Sequence, residues 1–363
     1  MSSDKIAFVI PSMDFGGMER VMSEITNYFS KQKLVNEVHL IILTKKKISY
    51  KIDSRINVHE PDFNYQNYTP ILYMLKTLIY LRGKFNYIKP NVVLSFGDRY
   101  NSLTILASLF LKIRVFVSNR MNPTLSNGFF IDILNKSLYR FSHGIIAQTE
   151  YAKEIFLKRY NNKNIFVIHN PIKKIKIDSS LVKENIILNV GRLVDGKNQH
   201  LLIDYFKKIN NLSWKMVFLG DGPNLQYLKK LAENYGLSSN IEFVGNTNDV
   251  EYYYNKSKIF AFVSSSEGFP NALGEAMSAG LSCMSFDCIT GPSELLDDGK
   301  NGFLVPLFDN EIYINGLEQL MENDKLRLEL GKNAIEKIQS FSIGGICKQY
   351  YGIFFNLLNK NEN

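Results

Sequence analysis

Two basic side chains in the second half of the sequence have a spacing that suits a phosphorylated ligand. Arg192 and Lys197 follow an apolar run that ends at Val190, in the stretch NVGRLVDGKNQHLLI. An arginine grips phosphate oxygens with a fork of N–H groups and a lysine adds a point charge, so the pair could neutralise a diphosphate. Two solvated surface cations would show the same spacing. The position after an apolar run favours the binding role, because parallel sheets bind ligands beyond the carboxyl ends of their strands.

Two carboxylates, Glu267 and Glu275, follow the apolar run Ile259–Val263 in the stretch SSSEGFPNALGEAMSAGLSCMSF. The pattern predicts a strand, a turn rich in serine, glycine and proline, and a helix of small residues. Gly268 and Pro270 would shape the bend. Small and apolar neighbours argue against two ordinary surface glutamates.

The same turn offers a place for an anion. Asn271 is predicted to cap the helix, which would leave the backbone N–H groups of Ala272 and Leu273 free to bind a phosphate. A carboxylate beside such a site would repel a second anion and is better suited to hydroxyl groups. A ribose or a sugar is therefore the expected partner of the two glutamates.

A further glycine pair stands near the start of the chain. Gly16 and Gly17, in PSMDFGGMERV, separate the apolar run Ile6–Ile10 from a helical pattern that starts near Met18. Paired glycines let the backbone approach another group closely, and a helix start favours an anion. The sequence is not GxGxxG, and a plain turn is the commoner meaning of such a pair.

Apolar runs separated by helical patterns recur in both halves of the chain, which predicts an α/β fold with two Rossmann-like, doubly wound parallel sheets. The predicted strands are Ile6–Ile10, Val38–Thr44, Val92–Phe96, Val115–Ser118, Gly144–Gln148, Ile165–His169, Ile186–Val190, Lys215–Leu219, Ile241–Val244, Ile259–Val263 and Leu281–Phe286. A Lys- and Ser-containing stretch places the hinge near Pro171. We expect an N-terminal domain over residues 1–170 and a C-terminal domain over 171–345, with a helix over 346–358 that could pack back on the first domain.

Length and composition restrict the class of protein. The chain has 363 residues, 45% of them hydrophobic, which suits two folded domains. Its three cysteines form no CxxC pair, which indicates a reducing compartment. No run reaches the roughly 18 apolar residues of a membrane helix, so we expect a cytoplasmic protein. The net charge of +8 fits a Lys-rich surface or attraction to anionic lipid or phosphorylated ligands, and nucleic acid ranks below these.

Several catalytic motifs are absent from the sequence. It has no Asp-x-Asp pair that could clamp a metal ion on a diphosphate, and no Walker A, GxSxG or HExxH motif. The five histidines are scattered, and each is expected to be structural. Neither a metal site nor a cofactor is predicted.

Together, these stretches resemble the retaining, nucleotide-sugar-dependent glycosyltransferases of family 4, of the bacterial surface-polysaccharide type. That family has the GT-B fold, in which two Rossmann-like domains face a central cleft. EGFPNALGE resembles its E-x7-E signature, and GRLVDGKNQHLLI resembles its Arg/Lys phosphate loop. GGMER, FLGDGP and DDGKNGFLVP are similar to other segments of the family. The likeness is strong over residues 186–306 and thin over residues 40–90.

The resemblance implies roles for the residues of a donor site. Glu275 would hold the ribose, Glu267 would face the donor sugar, and Arg192 and Lys197 would neutralise the diphosphate. Arg192, Lys197 and Glu267 are thus the expected catalytic residues. The expected donor-binding residues are Gly16, Gly17, Gly191, Arg192, Lys197, Asn246, Glu267, Gly268, Phe269, Pro270, Asn271, Ala272, Leu273 and Glu275.

The donor itself is expected to be a UDP-sugar, such as UDP-GalNAc, by likeness to enzymes of polyprenyl-linked glycans. Its base would lie near Gly245 and Asn246, and Gly16 and Gly17 would close over the phosphates from the other domain. The leaving diphosphate could take the acceptor's proton, so the reaction would need neither a protein base nor a metal ion.

For the acceptor, the resemblance points to VSNRMNP, where this chain lacks the histidine of many relatives. The stretch is similar to the SER-x-x-P variant of bacterial polysaccharide transferases. It implies that Asn119 and Arg120 contact the acceptor, Arg120 through a phosphate. The acceptor would be an undecaprenyl-diphosphate-linked saccharide for O-antigen, capsule or another surface glycan.

Two stretches of the N-terminal domain, Thr69–Pro90 and Gly128–Phe141, combine basic and apolar residues. Such helices can lie on anionic lipid, as a peripheral protein of the inner membrane's cytoplasmic face would, or pack their apolar sides on the sheet. Two other activities stay open: a transferase with a soluble or protein acceptor, and a GT-B-fold nucleotide-sugar epimerase. The intact set of charged residues disfavours a protein that only binds sugar nucleotides.

Overall fold

The chain forms two compact α/β units in a computed structural model that describes residues 4–14 and 16–355. Unit 1 contains the described residues up to Pro171 and those from Ile343 onward. Unit 2 runs from Ile172 to Ser342. Each unit is built on one parallel sheet, so the predicted pair of doubly wound domains is confirmed.

Unit 1 alternates strands and helices along the chain. Its strands are β1 (Lys5–Ile10), β2 (Glu37–Ile42), β3 (Asn57–His59), β4 (Val92–Phe96), β5 (Arg114–Ser118), β6 (Gly144–Ala147) and β7 (Ile165–Val167). The helices between them are α1 (Gly17–Lys31), α2 (Pro70–Ile88), α3 (Asp98–Ser108), α4 (Phe129–Leu138) and α5 (Glu150–Arg159). The strands form a seven-stranded parallel sheet in the order β3-β2-β1-β4-β5-β6-β7.

The central strands of unit 1 are apolar along their whole length because helices cover both faces of the sheet. Successive side chains of β1 point to opposite faces. Phe8 and Ile10 belong to one core cluster, and Ala7 and Val9 belong to another. All four are fully buried. The core therefore lies on both sides of the sheet, and the loops at the strand ends remain for binding.

Unit 2 repeats this plan. Its strands are β8 (Ile186–Val190), β9 (Lys215–Leu219), β10 (Ile241–Gly245), β11 (Ile259–Phe262), β12 (Ser282–Asp287) and β13 (Phe303–Pro306). Its helices are α6 (Gln199–Ile209), α7 (Leu225–Asn234), α8 (Val250–Lys256), α9 (Asn271–Ser278), α10 (Pro292–Leu295), α11 (Asn310–Glu322) and α12 (Asp324–Ile338). The six strands form a parallel sheet in the order β10-β9-β8-β11-β12-β13.

The strand order reverses once in each sheet, between β1 and β4 in unit 1 and between β8 and β11 in unit 2. Loops leaving adjacent strands at such a point diverge and open a crevice beyond the carboxyl ends, which is where α/β proteins bind ligands. The candidate site residues of unit 2 follow the strands at its reversal point.

A helix distant in sequence completes unit 1. It is α13 (Ile343–Phe355), and its fully buried side chains are Ile346, Cys347, Tyr350 and Phe354. The ring of Phe354 lies 4.9 Å from that of Phe116, and the Arg114 guanidinium donates to the Phe354 carbonyl at 2.5 Å. The helix begins earlier than the sequence suggests, and residues 356–358 of the predicted helix lie outside the described residues.

Two strands at sheet edges were not predicted. β3 has three residues, and Asn57 and Val58 are exposed, so it lacks an apolar run. β13 follows Gly302 in the segment DDGKNGFLVP, and its apolar residues are partly exposed apart from Val305. Edge strands have one unpaired side and need less apolar sequence than central strands do.

None of the helices in residues 4–14 and 16–355 is both long enough and apolar enough to cross a bilayer. The thiols of Cys283, Cys288 and Cys347 are free and buried.

Candidate active site

The loop after β8 carries the two predicted phosphate-binding cations. It leaves the sheet at Gly191, passes Arg192, and reaches Lys197 in a short 3-10 turn, Asp195–Lys197, before α6. The Arg192 side chain is exposed, and the carbonyl of Arg192 accepts a hydrogen bond from the buried Gln199 at 3.0 Å. This bond fixes the loop to the start of α6 and leaves the guanidinium available to a ligand.

Two glycines of the segment FLGDGP allow this loop to lie close to the next strand. A Cβ atom at Gly220 would collide with the carbonyl of Gly191, and one at Gly222 would collide with the carbonyl of Leu193. Gly220 also has a φ of +128°, which side chains rarely adopt. Only glycine therefore permits the observed path of the cation-bearing loop at these two positions.

Lys197 forms an ion pair with Glu267, the first of the predicted carboxylates. The Lys197 side chain is 24% exposed and that of Glu267 is 11% exposed. The ammonium also lies 5.4 Å from the ring centre of Phe262, at the end of β11. A lysine and a glutamate from different loops thus meet beyond the carboxyl ends of β8 and β11.

Hydrogen bonds to backbone carbonyls hold these two loops together around the ion pair. The Asn198 side chain donates to the carbonyl of Val263 at 3.1 Å. Ser265 donates to the carbonyl of Gly196 at 3.0 Å from its backbone and 3.2 Å from its hydroxyl. The distance between Lys197 and Glu267 is therefore set by the loops themselves.

The turn after Glu267 packs against the loop that follows β12. The Thr290 hydroxyl donates to the carbonyl of Glu267. A Cβ atom at Gly291, whose φ is +101°, would collide with the ring of Pro270. Phe269 is buried and Gly268 is partly exposed. The turn is thus supported from two sides.

The helix α9 begins at Asn271 itself, and Pro270 occupies the cap position without a side-chain bond. The predicted cap role of Asn271 is therefore wrong, because the helical geometry extends one residue further toward the turn. The first N–H groups of a helix have no partner within it. Those of Ala272 and Leu273 accordingly stay candidates for binding a phosphate, whereas the Asn271 N–H donates to the Phe269 carbonyl at 3.0 Å.

Glu275 lies one turn into α9 and is partly exposed. The buried Tyr254 hydroxyl donates to the Glu275 carboxylate at 3.1 Å and lies 3.2 Å from the carbonyl of Ala272. Tyr254 belongs to α8 and packs in the core of unit 2. A rigid core residue thus orients the second carboxylate of the E-x7-E stretch.

A cavity of about 220 Å³ opens beside Arg192. Its lining residues are Val190, Gly191, Arg192, Leu219, Gly220, Asp221, Gly245, Asn246, Thr247 and Val250. They come from the carboxyl ends of three neighbouring strands, β8, β9 and β10, and from the start of α8. A mostly apolar lining with a few polar side chains suits a flat aromatic ring such as a nucleobase. The structure places Gly191, Arg192 and Asn246 together on this cavity.

In unit 1, Gly16 and Gly17 lie at the start of α1. The Gly16 backbone N–H donates to the Tyr50 hydroxyl at 3.1 Å, and that hydroxyl donates to the Gly16 carbonyl at 2.8 Å. The carboxylate of Glu19 folds back against Gly16, and burial raises its pKa. The loop is held by these side chains, and its phosphate-binding role stays a prediction.

Asn119 and Arg120, the predicted acceptor residues, directly follow β5. Asn119 is 6% exposed, and its side-chain oxygen accepts a hydrogen bond from Tyr139 at 2.9 Å. Arg120 donates to Asn170 at 2.7 Å and to Tyr350 of α13 at 3.4 Å. Burial lowers the pKa of the Arg120 guanidinium. Both residues have structural partners inside unit 1, and contact with an acceptor stays a prediction.

Sequence reasoning missed several residues that support the site. Tyr254 is the last of three consecutive tyrosines, and the sequence gives no sign of which one is buried. Thr290 lies far along the chain from Glu267. Gly220 and Gly222 could have been found, because two glycines after a predicted strand suggest a close approach of two backbones.

The arrangement in unit 2 suits a ligand that carries negative charge. It combines an exposed guanidinium, an ammonium and the start of a helix, all of which favour negative charge. The two carboxylates flank the helix start and can accept hydrogen bonds from hydroxyl groups. In residues 4–14 and 16–355, no cluster of three His, Cys, Asp or Glu side chains could hold a metal ion.

Comparison with known families matches both units. The model of the "Glycosyl transferases group 1" family matches residues 172–337, and that of "Glycosyltransferase Family 4" matches residues 15–174. The first match covers the part of the chain that contains Arg192, Lys197, Glu267 and Glu275.

Full-length relatives include two bacterial glycosyltransferases. The amylovoran biosynthesis glycosyltransferase AmsD of Erwinia amylovora is 26% identical over 350 residues, which are 93% of this chain and 95% of the relative. A Campylobacter jejuni alpha-1,4-N-acetyl-D-galactosaminyltransferase is 26% identical over 363 residues, 98% of this chain and 99% of the relative. Its name gives its acceptor as GalNAc-alpha-(1->4)-GalNAc-alpha-(1->3)-diNAcBac-PP-undecaprenol.

Solved structures show the same fold. HepE of Anabaena, in complex with UDP-glucose, has a TM-score of 0.82 at 17% identity, with 98% of this chain and 99% of that chain covered. The two family models together extend from residue 15 to residue 337, and the two bacterial glycosyltransferases match almost the whole chain. The chain is therefore a glycosyltransferase of family 4 with the GT-B fold.

Proposed function

We propose that this glycosyltransferase moves a sugar from a UDP-sugar to a polyprenyl-diphosphate-linked saccharide, with retention of the anomeric configuration, in bacterial surface-glycan assembly. The observation that carries the proposal is the ion pair of Lys197 with Glu267 at the carboxyl edge of the unit 2 sheet. It joins a phosphate-binding cation to a carboxylate that can accept hydrogen bonds from a sugar.

The donor side of the proposal rests on the cavity beside Arg192. Its apolar walls would take the uracil ring near Gly245 and Asn246. Glu275, oriented by Tyr254, would bind the ribose hydroxyls. A structural neighbour with this fold binds UDP-glucose, which supports a UDP-linked donor. The Campylobacter relative is an N-acetylgalactosaminyltransferase, which supports an N-acetylhexosamine such as GalNAc as the sugar.

The chemistry would rest on stabilising the departing diphosphate. As the bond to the anomeric carbon loosens, negative charge grows on the diphosphate, and Arg192, Lys197 and the N–H groups at the start of α9 oppose it. The acceptor hydroxyl would attack from the same face and pass its proton to the diphosphate. Glu267 would hold the sugar hydroxyls in place. Such a reaction needs no metal ion and no further cofactor.

The acceptor side of the proposal concerns unit 1 and a membrane surface. Along one side of α2, Ile71 is 74% exposed, Leu75 is 51% exposed and Ile79 is 71% exposed. On α4, Phe129 is 73% exposed and Phe130 is 80% exposed. Exposed apolar side chains beside basic residues suit the surface of an anionic bilayer. They support a peripheral protein at the cytoplasmic face of the inner membrane.

The decisive experiment offers the enzyme a panel of nucleotide sugars with undecaprenyl-diphosphate-linked saccharides and identifies products by mass spectrometry. We expect the acceptor to gain one sugar and UDP to be released, with the same yield in EDTA. Proton NMR of the new linkage should show the anomeric configuration of the donor. Conversion of the sugar nucleotide without any acceptor would instead identify an epimerase. Transfer of the sugar to a soluble acceptor alone would exclude a lipid-linked acceptor.

Membrane binding has a separate test. Sedimentation with phosphatidylglycerol vesicles should carry the protein down at low salt and less of it at high salt. The double variant Ile71→Ser/Ile79→Ser should bind several-fold more weakly. Leu328→Ser removes a similarly exposed apolar side chain from unit 2 and serves as the control. Equal binding of all three proteins would argue against this surface.

A further inference from the structure

Unit 1 also has a cavity, which lies at the carboxyl edge of its sheet. It has a volume of about 510 Å³ and is formed by the loops after β1 and β2, the start of α3 and the segment before α2. Because β1 and β4 are the strands at which the order reverses, this cavity lies at the ligand-binding edge expected of a doubly wound sheet.

The cavity is basic. Lys45 and Lys46 line it from the loop after β2, and Arg99 lines it from the first turn of α3. All three side chains belong to exposed residues, and none of the residues that line the cavity is acidic. Two carboxylates lie close by: that of Asp14, 3.8 Å from the Lys46 ammonium, and that of Glu19, which is hydrogen-bonded to Ser12 of the cavity and whose pKa is raised by burial. The three cations outnumber these two carboxylates, which favours a negatively charged ligand.

One wall of the cavity is aromatic and rigid. Tyr65 is 50% exposed, and its ring stands edge-on to Tyr73 at 5.0 Å. Tyr73 is buried, and its hydroxyl is bonded to the Leu43 carbonyl and the Thr44 hydroxyl, each at 2.8 Å. Because Tyr73 is fixed to the end of β2, Tyr65 offers an exposed ring in a fixed place, which suits the apolar face of a sugar.

We propose that this cavity binds the acceptor through its phosphate groups, with Lys45, Lys46 and Arg99 as the phosphate contacts and Tyr65 beneath the adjoining sugar. The inference rests on the proposed function, since it names the part of the acceptor that unit 1 recognises. The donor's diphosphate has its own cations in unit 2, so these three are available for a second anionic group. A lipid-linked diphosphate has the charge and the neighbouring sugar that the cavity would bind.

Binding can be tested apart from catalysis. Isothermal titration calorimetry would measure the affinity for geranyl diphosphate and for inorganic pyrophosphate, with saturating UDP present to occupy the donor site. We expect Arg99→Gln and Lys45→Gln each to weaken both probes about tenfold, the loss of one charge-assisted hydrogen bond. Lys112→Gln, which removes an exposed lysine before the amino end of β5, should bind as the wild type does.

Three outcomes would overturn the proposal. One is an unchanged affinity of Arg99→Gln and Lys45→Gln for both probes. Another is complete loss of probe binding to the wild type when UDP is added, which would place the probe in the donor site. A third is weaker sedimentation of the two variants with phosphatidylglycerol vesicles while they bind geranyl diphosphate normally, which would make the cavity a lipid-headgroup site.

Kinetics separates this inference from the proposed function. If the wild type transfers sugar to the lipid-linked acceptor, the two variants should raise the acceptor KM and leave the donor KM unchanged. Active variants with a normal acceptor KM would contradict the cavity's role while the proposed function stands. A wild type that binds geranyl diphosphate in this cavity but glycosylates no lipid-linked acceptor would contradict the proposed function instead.

Discussion

Lys197 and Glu267 are separated by seventy residues in the sequence and form an ion pair beyond the carboxyl ends of β8 and β11. An ammonium group has three N–H donors, so Lys197 can hold the carboxylate and still donate to phosphate oxygens. The pair thereby fixes both the position of the cation and the orientation of the carboxylate. In the proposed reaction, this contact would join the charge that stabilises the leaving group to the carboxylate that binds the sugar.

Replacing Lys197 by alanine should lower turnover at saturating donor at least about a hundredfold, because one fixed donor to the transition-state charge is lost. Steady-state kinetics of the purified variant measures this. Lys230→Ala removes an exposed lysine of α7 and should have the wild-type rate. A near-normal rate in Lys197→Ala would exclude Lys197 from the chemical step.

Replacing Tyr254 by phenylalanine should raise the donor KM about two- to tenfold with little change in kcat. The variant loses the hydrogen bond to Glu275, and a single such bond contributes about 0.5–1.5 kcal/mol. Titration with UDP should show the same loss of affinity. Tyr253→Phe alters the preceding, partly exposed tyrosine and is the matched control. Equal KM values in the two variants would argue against an orienting role for Tyr254.

Gly222→Ala should destabilise unit 2 by about 1–3 kcal/mol and weaken UDP binding, because the new methyl group would displace the Leu193 carbonyl in the cation-bearing loop. Thermal unfolding with and without UDP measures both effects. Gly196→Ala is the control for stability, since a Cβ atom there would meet nothing within 4 Å. A Gly222→Ala protein as stable as the wild type would show that the loop can move without cost.

Asp98, at the start of α3, should make the stability of unit 1 depend on pH. Burial raises its pKa from 3.8 to about 7, although the Arg120 backbone N–H and the charges of Arg120 and Arg159 act in the opposite direction. Between these two values the folded state keeps a proton that the unfolded state releases. The stability contributed by the protonated carboxyl therefore falls as the pH rises from about 4 to about 7 and changes no further above that.

The variant Asp98→Asn isolates this effect, because its side chain does not titrate. Relative to the wild type, its melting temperature should rise as the pH increases from about 4 to about 7, and the difference should stay constant above pH 7. Asp62→Asn changes an exposed carboxylate of the same unit and should show no such trend. If the melting temperatures of the wild type and Asp98→Asn differed by the same amount at every pH in this range, the raised pKa of Asp98 would be disproved.

The central strands and the charged site residues could be predicted because each carries a local signal. Strands such as β1 and β11 are apolar along their length, and Arg192, Lys197 and Glu267 directly follow strands or turns. The loops that follow parallel strands all leave the same edge of the sheet, so residues distant in sequence could be expected to lie close together there.

Other features could not be predicted because they depend on tertiary contacts. The burial of Tyr254 beside its partly exposed neighbours follows from how α8 packs on the sheet. The exposure of Ile71 and Ile79 on α2 was the less favoured of two open alternatives, because an apolar helix side more often packs on the sheet than forms a docking surface. The basic cavity of unit 1 combines Lys45, from the loop after β2, with Arg99, from the first turn of α3, and no motif links the two.

The position of α13 has a consequence for how the protein is made. Residues Ile346, Tyr350 and Phe354 complete the core of unit 1, yet the ribosome delivers them after the whole of unit 2. A nascent chain can thus finish its second domain while the first still exposes the apolar surface that awaits this helix. During that interval, chaperones rather than the fold itself would have to shield β1, α1 and their neighbours from aggregation.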